Sequence, residues 1–235
     1  MVITTSQADV SGDGVLDIVS LTGEKHETSD IFIKDITLVV TDGKTGQIAS
    51  TTFSNNAGYN PRLFIGDFTC DGVGEILISI DSGGSGGFGY YYIYSYRNNL
   101  LRQLFSAEDF NEAYKYKVIF RDGCKIAVYS EYFKKMYIID VRSRKAFYQE
   151  QGVYDRNCRL LKPTEGFVPG LNNLYPLVSN RPNCYNLLVL QRVIGLFGAD
   201  TVGYLETTLE WDETRFAGKS ERVRPIHLIV KNTSP

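Results

Sequence analysis

Histidine and methionine each occur only twice in 235 residues, leaving little material for imidazole or redox chemistry. His26 and His227 stand at opposite ends of the chain with no G-x-S-x-G nucleophile motif, so no hydrolytic triad is written in the sequence. No apolar run approaches the roughly 18–20 residues that a spanning helix needs, which excludes a helical membrane span. Charge of one sign is also missing: the formal net charge is −2, and the basic residues form no stripe, so nucleic acid is not an expected partner. The four cysteines, Cys70, Cys124, Cys158 and Cys184, contain no C-x-x-C pair, which excludes a zinc ribbon or a thioredoxin-type centre and leaves two disulfides or none. The opening residues, Met1-Val2-Ile3-Thr4, lack a charged segment followed by an apolar one, so no secretion signal is visible, as in a chain already trimmed of one.

What is present is an ordinary globular composition, 43% hydrophobic and 22% charged, at a length that all-β proteins commonly fill with one domain. The most informative stretch is Asp9-Val10-Ser11-Gly12-Asp13-Gly14-Val15-Leu16-Asp17, which sets oxygen side chains at loop positions 1, 3, 5 and 9. Calcium takes six to eight oxygens at about 2.3–2.6 Å, and alternate residues of a tight loop can aim theirs at one centre. Asp9, Ser11, Asp13 and Asp17 supply side chains and Val15 a carbonyl; Gly14 permits the turn that returns the ninth position to the ion. The same pattern recurs 58 residues later, where Asp67, Thr69, Asp71, Val73 and Glu75 repeat the ligand positions and Gly72 the turn. A degraded copy lies at Tyr175–Val189, with Val178, Asn180, Pro182 and Asn186 in the ligand places.

Internal repetition at this period divides the chain into units 1–58, 59–115, 116–170 and 171–235. Strands are expected at Leu16–Leu21, Ile33–Val40, Ile48–Phe53, Leu63–Ile65, Ile76–Ile80, Tyr90–Tyr96 and Gly203–Trp211. Asp42-Gly43 marks a hairpin, and residues 150–173 read as a long loop. Ser106 with Asp109 starts one short surface helix reaching Tyr114.

The two complete loops, each followed by a short apolar strand, resemble FG-GAP/VCBS-type repeats, as in the head of integrin α-subunits. That resemblance implies an all-β fold, a small β-propeller of about four antiparallel blades, or five if Met1–Ser6 and Ile226–Lys231 complete one sheet. It further implies one or two structural Ca2+ ions and a non-enzymatic, extracellular or envelope-associated binding or adhesion module for a protein or carbohydrate ligand. The alternatives are a propeller-face enzyme acting on polysaccharide, a lectin-like carbohydrate binder, or a coat-type structural protein.

Three further features have simpler readings. Gly83-Gly84-Ser85-Gly86-Gly87 lacks the Gly-Lys-Ser/Thr of a phosphate loop and opens a strand, which leaves an inter-strand loop or a ligand-recognition loop. Tyr90–Tyr96 alternates so that Tyr91, Ile93 and Ser95 face one way and Tyr90, Tyr92, Tyr94 and Tyr96 the other, favouring packing over a sugar platform. Cys70 is expected as an inert or disulfide thiol, and Asn232-Thr233-Ser234 as a chance glycosylation pattern.

Overall fold

The computed structural model describes residues 1–27, 29–84 and 86–226. Its strands follow one another in four groups of four. The first comprises β1 (Val2–Ala8), β2 (Asp17–His26), β3 (Ser29–Thr41) and β4 (Ile48–Thr52), and the second β5 (Gly58–Gly66), β6 (Glu75–Asp81), β7 (Gly89–Ser95) and β8 (Arg102–Ser106). The third comprises β9 (Tyr116–Arg121), β10 (Lys125–Ser130), β11 (Lys135–Asp140) and β12 (Glu165–Gly166), and the fourth β13 (Asn173–Val178), β14 (Tyr185–Ile194), β15 (Thr201–Trp211) and β16 (Phe216–Pro225). All the strand pairs within these sheets are antiparallel. Two short helices, α1 (Ala107–Ala113) and α2 (Lys145–Glu150), lie between strands.

The all-β character stands, and the propeller does not. The first two groups merge into one open eight-stranded sheet in the order β1-β2-β3-β5-β6-β7-β8, with β4 on β3; the others form open sheets in the orders β11-β10-β9-β12 and β13-β14-β15-β16. The cause is the length of β3. Its 13 residues extend roughly 43 Å at about 3.3 Å per residue, far beyond its five-residue partner β4. Thr37–Thr41 pair with β4, and the other end is left to pair through Phe32 and Ile33 with Tyr59 and Gly58 of β5. That second pairing turns two separate blades into one sheet. Of the two chain ends suggested for completing a fifth blade, the first lies in β1 against β2, and residues 227–231 lie outside the described residues.

Three apolar clusters hold the sheets. The first gathers Val19, Leu21, Leu38 and Val40 with Ile76, Ile78 and Tyr92. The second joins Leu77, Tyr91 and Ile93 to Phe110, Leu187 and Leu209, and the third surrounds Phe120, Ile126, Tyr148 and Tyr154. Strand β7 therefore packs on both faces: Tyr92, Tyr94 and Tyr96 enter the first cluster, Tyr91 and Ile93 the second. The tyrosine run is mainly a core element, with Tyr90 partly buried at its start.

Ser106 caps α1 by accepting from the Asp109 amide at 3.1 Å and donating to the Asp109 carboxylate at 2.7 Å. The helix is a short surface one whose inner face buries Ala107 and Phe110 while Asp109, Glu112 and Ala113 are exposed. Helix α2, which the sequence pattern did not signal, buries Tyr148. The stretch after it is anchored as well: Val153 and Tyr154 are buried, and the Tyr154 hydroxyl lies 2.9 Å from the carbonyls of both Arg121 and Lys125, donating to one at a time. No helix among the described residues is long and apolar enough to cross a membrane.

Of the two alternatives for the cysteines, the structure has the two disulfides. Cys70–Cys184 closes 114 residues and Cys124–Cys158 closes 34, with Cα separations of 5.3 and 5.0 Å. Loop-closure entropy assigns about 5 kcal/mol to the longer bridge and about 4 kcal/mol to the shorter. Urea unfolding of oxidised and reduced protein checks this: reduction is expected to lower the midpoint strongly, and Cys184→Ser to account for the larger share.

Candidate metal centre

Both acidic loops are built by one device: the ninth-position carboxylate folds back onto the start of its own loop. In the first, Asp17 is fully buried at the head of β2; its Oδ2 accepts from the amides of Val10 and Ser11, each at 2.9 Å, and its Oδ1 from the Gly43 amide at 2.9 Å. In the second, Glu75 at the head of β6 repeats the arrangement, its Oε2 accepting from the Phe68 and Thr69 amides at 2.7 and 3.1 Å and its Oε1 from the Thr69 hydroxyl at 2.9 Å. The first-position carboxylates hold the turn. Asp9 accepts from the amides of Gly12, Asp13 and Gly14, with a longer bond from the Ser11 hydroxyl at 3.4 Å; Asp67 accepts from Asp71 and Gly72. The fifth-position residues Asp13 and Asp71 accept from the amides of Val15 and Val73. Gly14 and Gly72 both sit at φ +85, the left-handed conformation that this turn requires.

The two loops differ in how their carboxylates converge. Among the described residues, Asp67, Asp71 and Glu75 form a group in which one ligand atom from each lies within 4.8 Å of the others. The first-loop set Asp9, Asp13 and Asp17 does not converge in this way. Asp17 is one methylene shorter than Glu75 and has its remaining oxygen drawn off to Gly43 across the neighbouring hairpin turn.

A basic side chain meets the fifth position in each case. Lys44 Nζ lies 3.7 Å from Asp13, and the Arg97 guanidinium pairs with Asp71. Neither was marked by loop spacing, because each arrives from the turn that ends the next hairpin. The second loop has one more anchor: Cys70, at φ +61, is bonded to Cys184, and the Asp67 carbonyl accepts from the Tyr185 amide at 2.8 Å. The degraded stretch containing Val178, Asn180, Pro182 and Asn186 thus contributes a covalent staple through Cys184, at the loop place that Val15 and Val73 fill in the other copies.

Electrostatics separate the carboxylates. Burial raises the Glu75 carboxyl above its ordinary range; bonds from Phe68 and Thr69 oppose the shift, and the neighbouring Asp67 charge adds to it. For Asp9, partial burial pushes upward but is outweighed by the amides of Gly14, Gly12 and Asp13, so its carboxyl lies below the usual range.

Comparison with known proteins gives the chain a family. The uncharacterized protein YybI of Bacillus subtilis (strain 168) is 38% identical over 215 residues, covering 92% of this chain and 81% of that protein. The chain belongs to the YybI family. Residues 114–224 match the family described as YybI C-terminal domain, a span from the end of α1 almost to the end of β16. No solved structure matches. Membership of the YybI family corrects the FG-GAP/VCBS resemblance: neither repeat family matches, and the open sheets lack the propeller those repeats build. Two nine-residue loops carried that resemblance, whereas the YybI similarity extends over most of the chain.

Two outcomes follow for the loops. Asp17→Ala strands three amides and is expected to cost at least about 3 kcal/mol, against under about 1 kcal/mol for Asp13→Ala, whose ion pair is exposed; chemical denaturation of the two variants decides. For Glu75, a raised folded pKa means that its contribution is complete below the ordinary value of 4.5 and is lost as pH rises through the folded pKa. In chelator, wild-type stability is therefore expected to fall relative to Glu75→Gln as pH rises above about 4.5, a difference that paired pH–melting profiles read directly.

Proposed function

We propose that this chain is a non-enzymatic, disulfide-stapled binding module of the extracellular space or cell envelope, and that its second acidic loop holds one structural calcium ion. The observation that carries the metal reading is the convergence of Asp67, Asp71 and Glu75 within 4.8 Å. The donor set is all oxygen, which suits calcium over zinc or iron. Asp67, Asp71 and Glu75 would hold the ion, with the Thr69 hydroxyl and Val73 carbonyl at the remaining loop positions. A divalent cation would offset the charge of three clustered carboxylates and reverse the cost of ionising buried Glu75. The Arg97 guanidinium on Asp71 supplies part of that compensation from within the chain, so calcium entry displaces it. The first loop, Asp9–Asp17, is closed by its own amides and Lys44 and is assigned no ion.

Two disulfides support a location outside the reducing cytosol. Binding is favoured over polysaccharide hydrolysis by the cavities: those lined by Asp109, Asp200, Glu108 and Glu210 each hold a single carboxylate, whereas glycoside hydrolysis usually employs two, about 5–9.5 Å apart.

Thermal melting in calcium and in EDTA tests the ion. Saturating calcium is expected to raise the midpoint by several degrees, since a ligand at a hundred times its Kd contributes about 2.7 kcal/mol. Asp71→Ala is expected to abolish the response and Arg97→Gln to shift it to lower calcium concentration. Identical midpoints for wild type in calcium and EDTA would reject the metal.

A further inference from the structure

Strand β11 ends the third sheet, and among the described residues nothing pairs with its outer edge. It pairs with β10 over all its residues, Lys135–Asp140, without a register shift. The hydrogen bonds decide which groups that edge presents. The Val141 amide donates to the Cys124 carbonyl at 2.9 Å, and bonding alternates along an antiparallel ladder, so Lys135, Tyr137 and Ile139 turn their backbone groups towards β10. Met136, Ile138 and Asp140 turn theirs outward, and these amides and carbonyls have no hydrogen-bond partner among the described residues. Met136 and Ile138 also share the open face of the strand, 63% and 52% exposed, while Ile139 on the opposite face is fully buried.

An open edge is a template for another strand, and proteins blunt such edges with proline, bulges, charge or shortness. The other sheet edges of this chain carry these devices. β13 contains Pro176; β1, β8 and β16 are irregular in register, and β16 adds Lys219, Arg222 and Arg224. β12 has two residues, and β4 has five, of which three are Ser or Thr. β11 carries none of them between its ends: Met136, Tyr137, Ile138 and Ile139 run uninterrupted along a straight ladder.

We propose that β11 pairs antiparallel with β11 of a second copy of this chain, about a two-fold axis at Tyr137, joining the two third sheets into one. Directly opposed residues point to the same face, so Met136 lies opposite Ile138 of the second copy and Ile138 opposite its Met136. The exposed apolar side chains then cover each other, and each pair exchanges its outward amide and carbonyl bonds. Lys134, directly before the strand, comes opposite Asp140 of the second copy, so opposite charges meet at both ends of the pairing. Asp140 keeps its own Arg142, and the second copy's lysine adds to that pair. Other registers lose this match. Moving by two residues puts Lys134 opposite Ile138 in one direction, and Met136 opposite Asp140 with Lys134 opposite Arg142 in the other. Moving by one turns the apolar pairs to the wrong face. The edge is therefore self-complementary, as an isologous contact requires. The pairing is roughly 20 Å long, which makes a small and reversible interface. No acidic-loop residue takes part, so the inference is independent of the calcium reading.

Sedimentation velocity of the oxidised full chain over a wide concentration series tests the edge. A reversible monomer–dimer equilibrium is expected for wild type. Ile138→Pro deletes an outward amide and leaves the bonds to β10 in place, and Met136→Lys sets a charge in the apolar pair; each is expected to weaken dimerisation about tenfold or more. A folding failure of one variant, read from its melting curve, leaves the other to decide. The register has its own readout: Lys134→Glu and Asp140→Lys should each weaken the dimer several-fold by opposing like charges, and the double variant should recover most of the wild-type affinity. A monomer at every concentration, or a dimer unchanged in either folded edge variant, would overturn the pairing. A double charge variant no tighter than the single ones would overturn the register.

Discussion

A carboxylate returned to the start of its own loop is the constraint on which the larger sheet depends. Asp17 and Glu75 each open a core strand, and each removes two backbone amides from the list of buried donors that would otherwise be unpaired. Because both side chains are nearly inaccessible, their bonds are formed where water does not compete effectively. The same residues set where β2 and β6 begin, and hence which apolar side chains of those strands enter the first cluster. Asp17 extends the constraint to the adjoining hairpin through Gly43, so the loop, the core strand and the turn of the next strand pair are fixed together.

The second loop adds a long-range tie. Through Cys70 and the Asp67 carbonyl it is joined to Cys184 and Tyr185 at the head of β14, so the eight-stranded sheet and the β13–β16 sheet meet at the acidic cluster. The packing there is aromatic: Tyr185 contacts both Phe64 and Phe68, and Phe68 contacts Phe216. Events at the three carboxylates therefore reach two sheets, so the proposed ion would act on the stability of both and not only of one turn.

Local signals in the sequence carried a good deal of this. The strand after each acidic loop, the Asp42-Gly43 turn and the Ser106 cap are all governed by residues close in the chain, and alternation in Tyr90–Tyr96 foretold its division between two faces. What the sequence did not carry is non-local. The pairing of Phe32 and Ile33 with Tyr59 and Gly58, which replaces two blades by one sheet, depends on the mismatch between β3 and β4 and has no motif. Arg97, Lys44 and Cys184 come to the loops from distant turns, and Glu108 meets Asn55 across 53 residues. Two faithful copies of a nine-residue loop pointed to a repeat family whose fold this chain does not share; a short loop can be built by the same carboxylate–amide chemistry on different scaffolds.

Direct measurement of calcium stoichiometry by isothermal titration calorimetry on chelator-stripped, oxidised protein tests the central claim. One equivalent per chain is predicted, with the heat lost in Asp67→Ala and retained in Asp9→Ala. No binding, or a site that survives Asp67→Ala and disappears in Asp9→Ala, would contradict the assignment of the ion to the second loop.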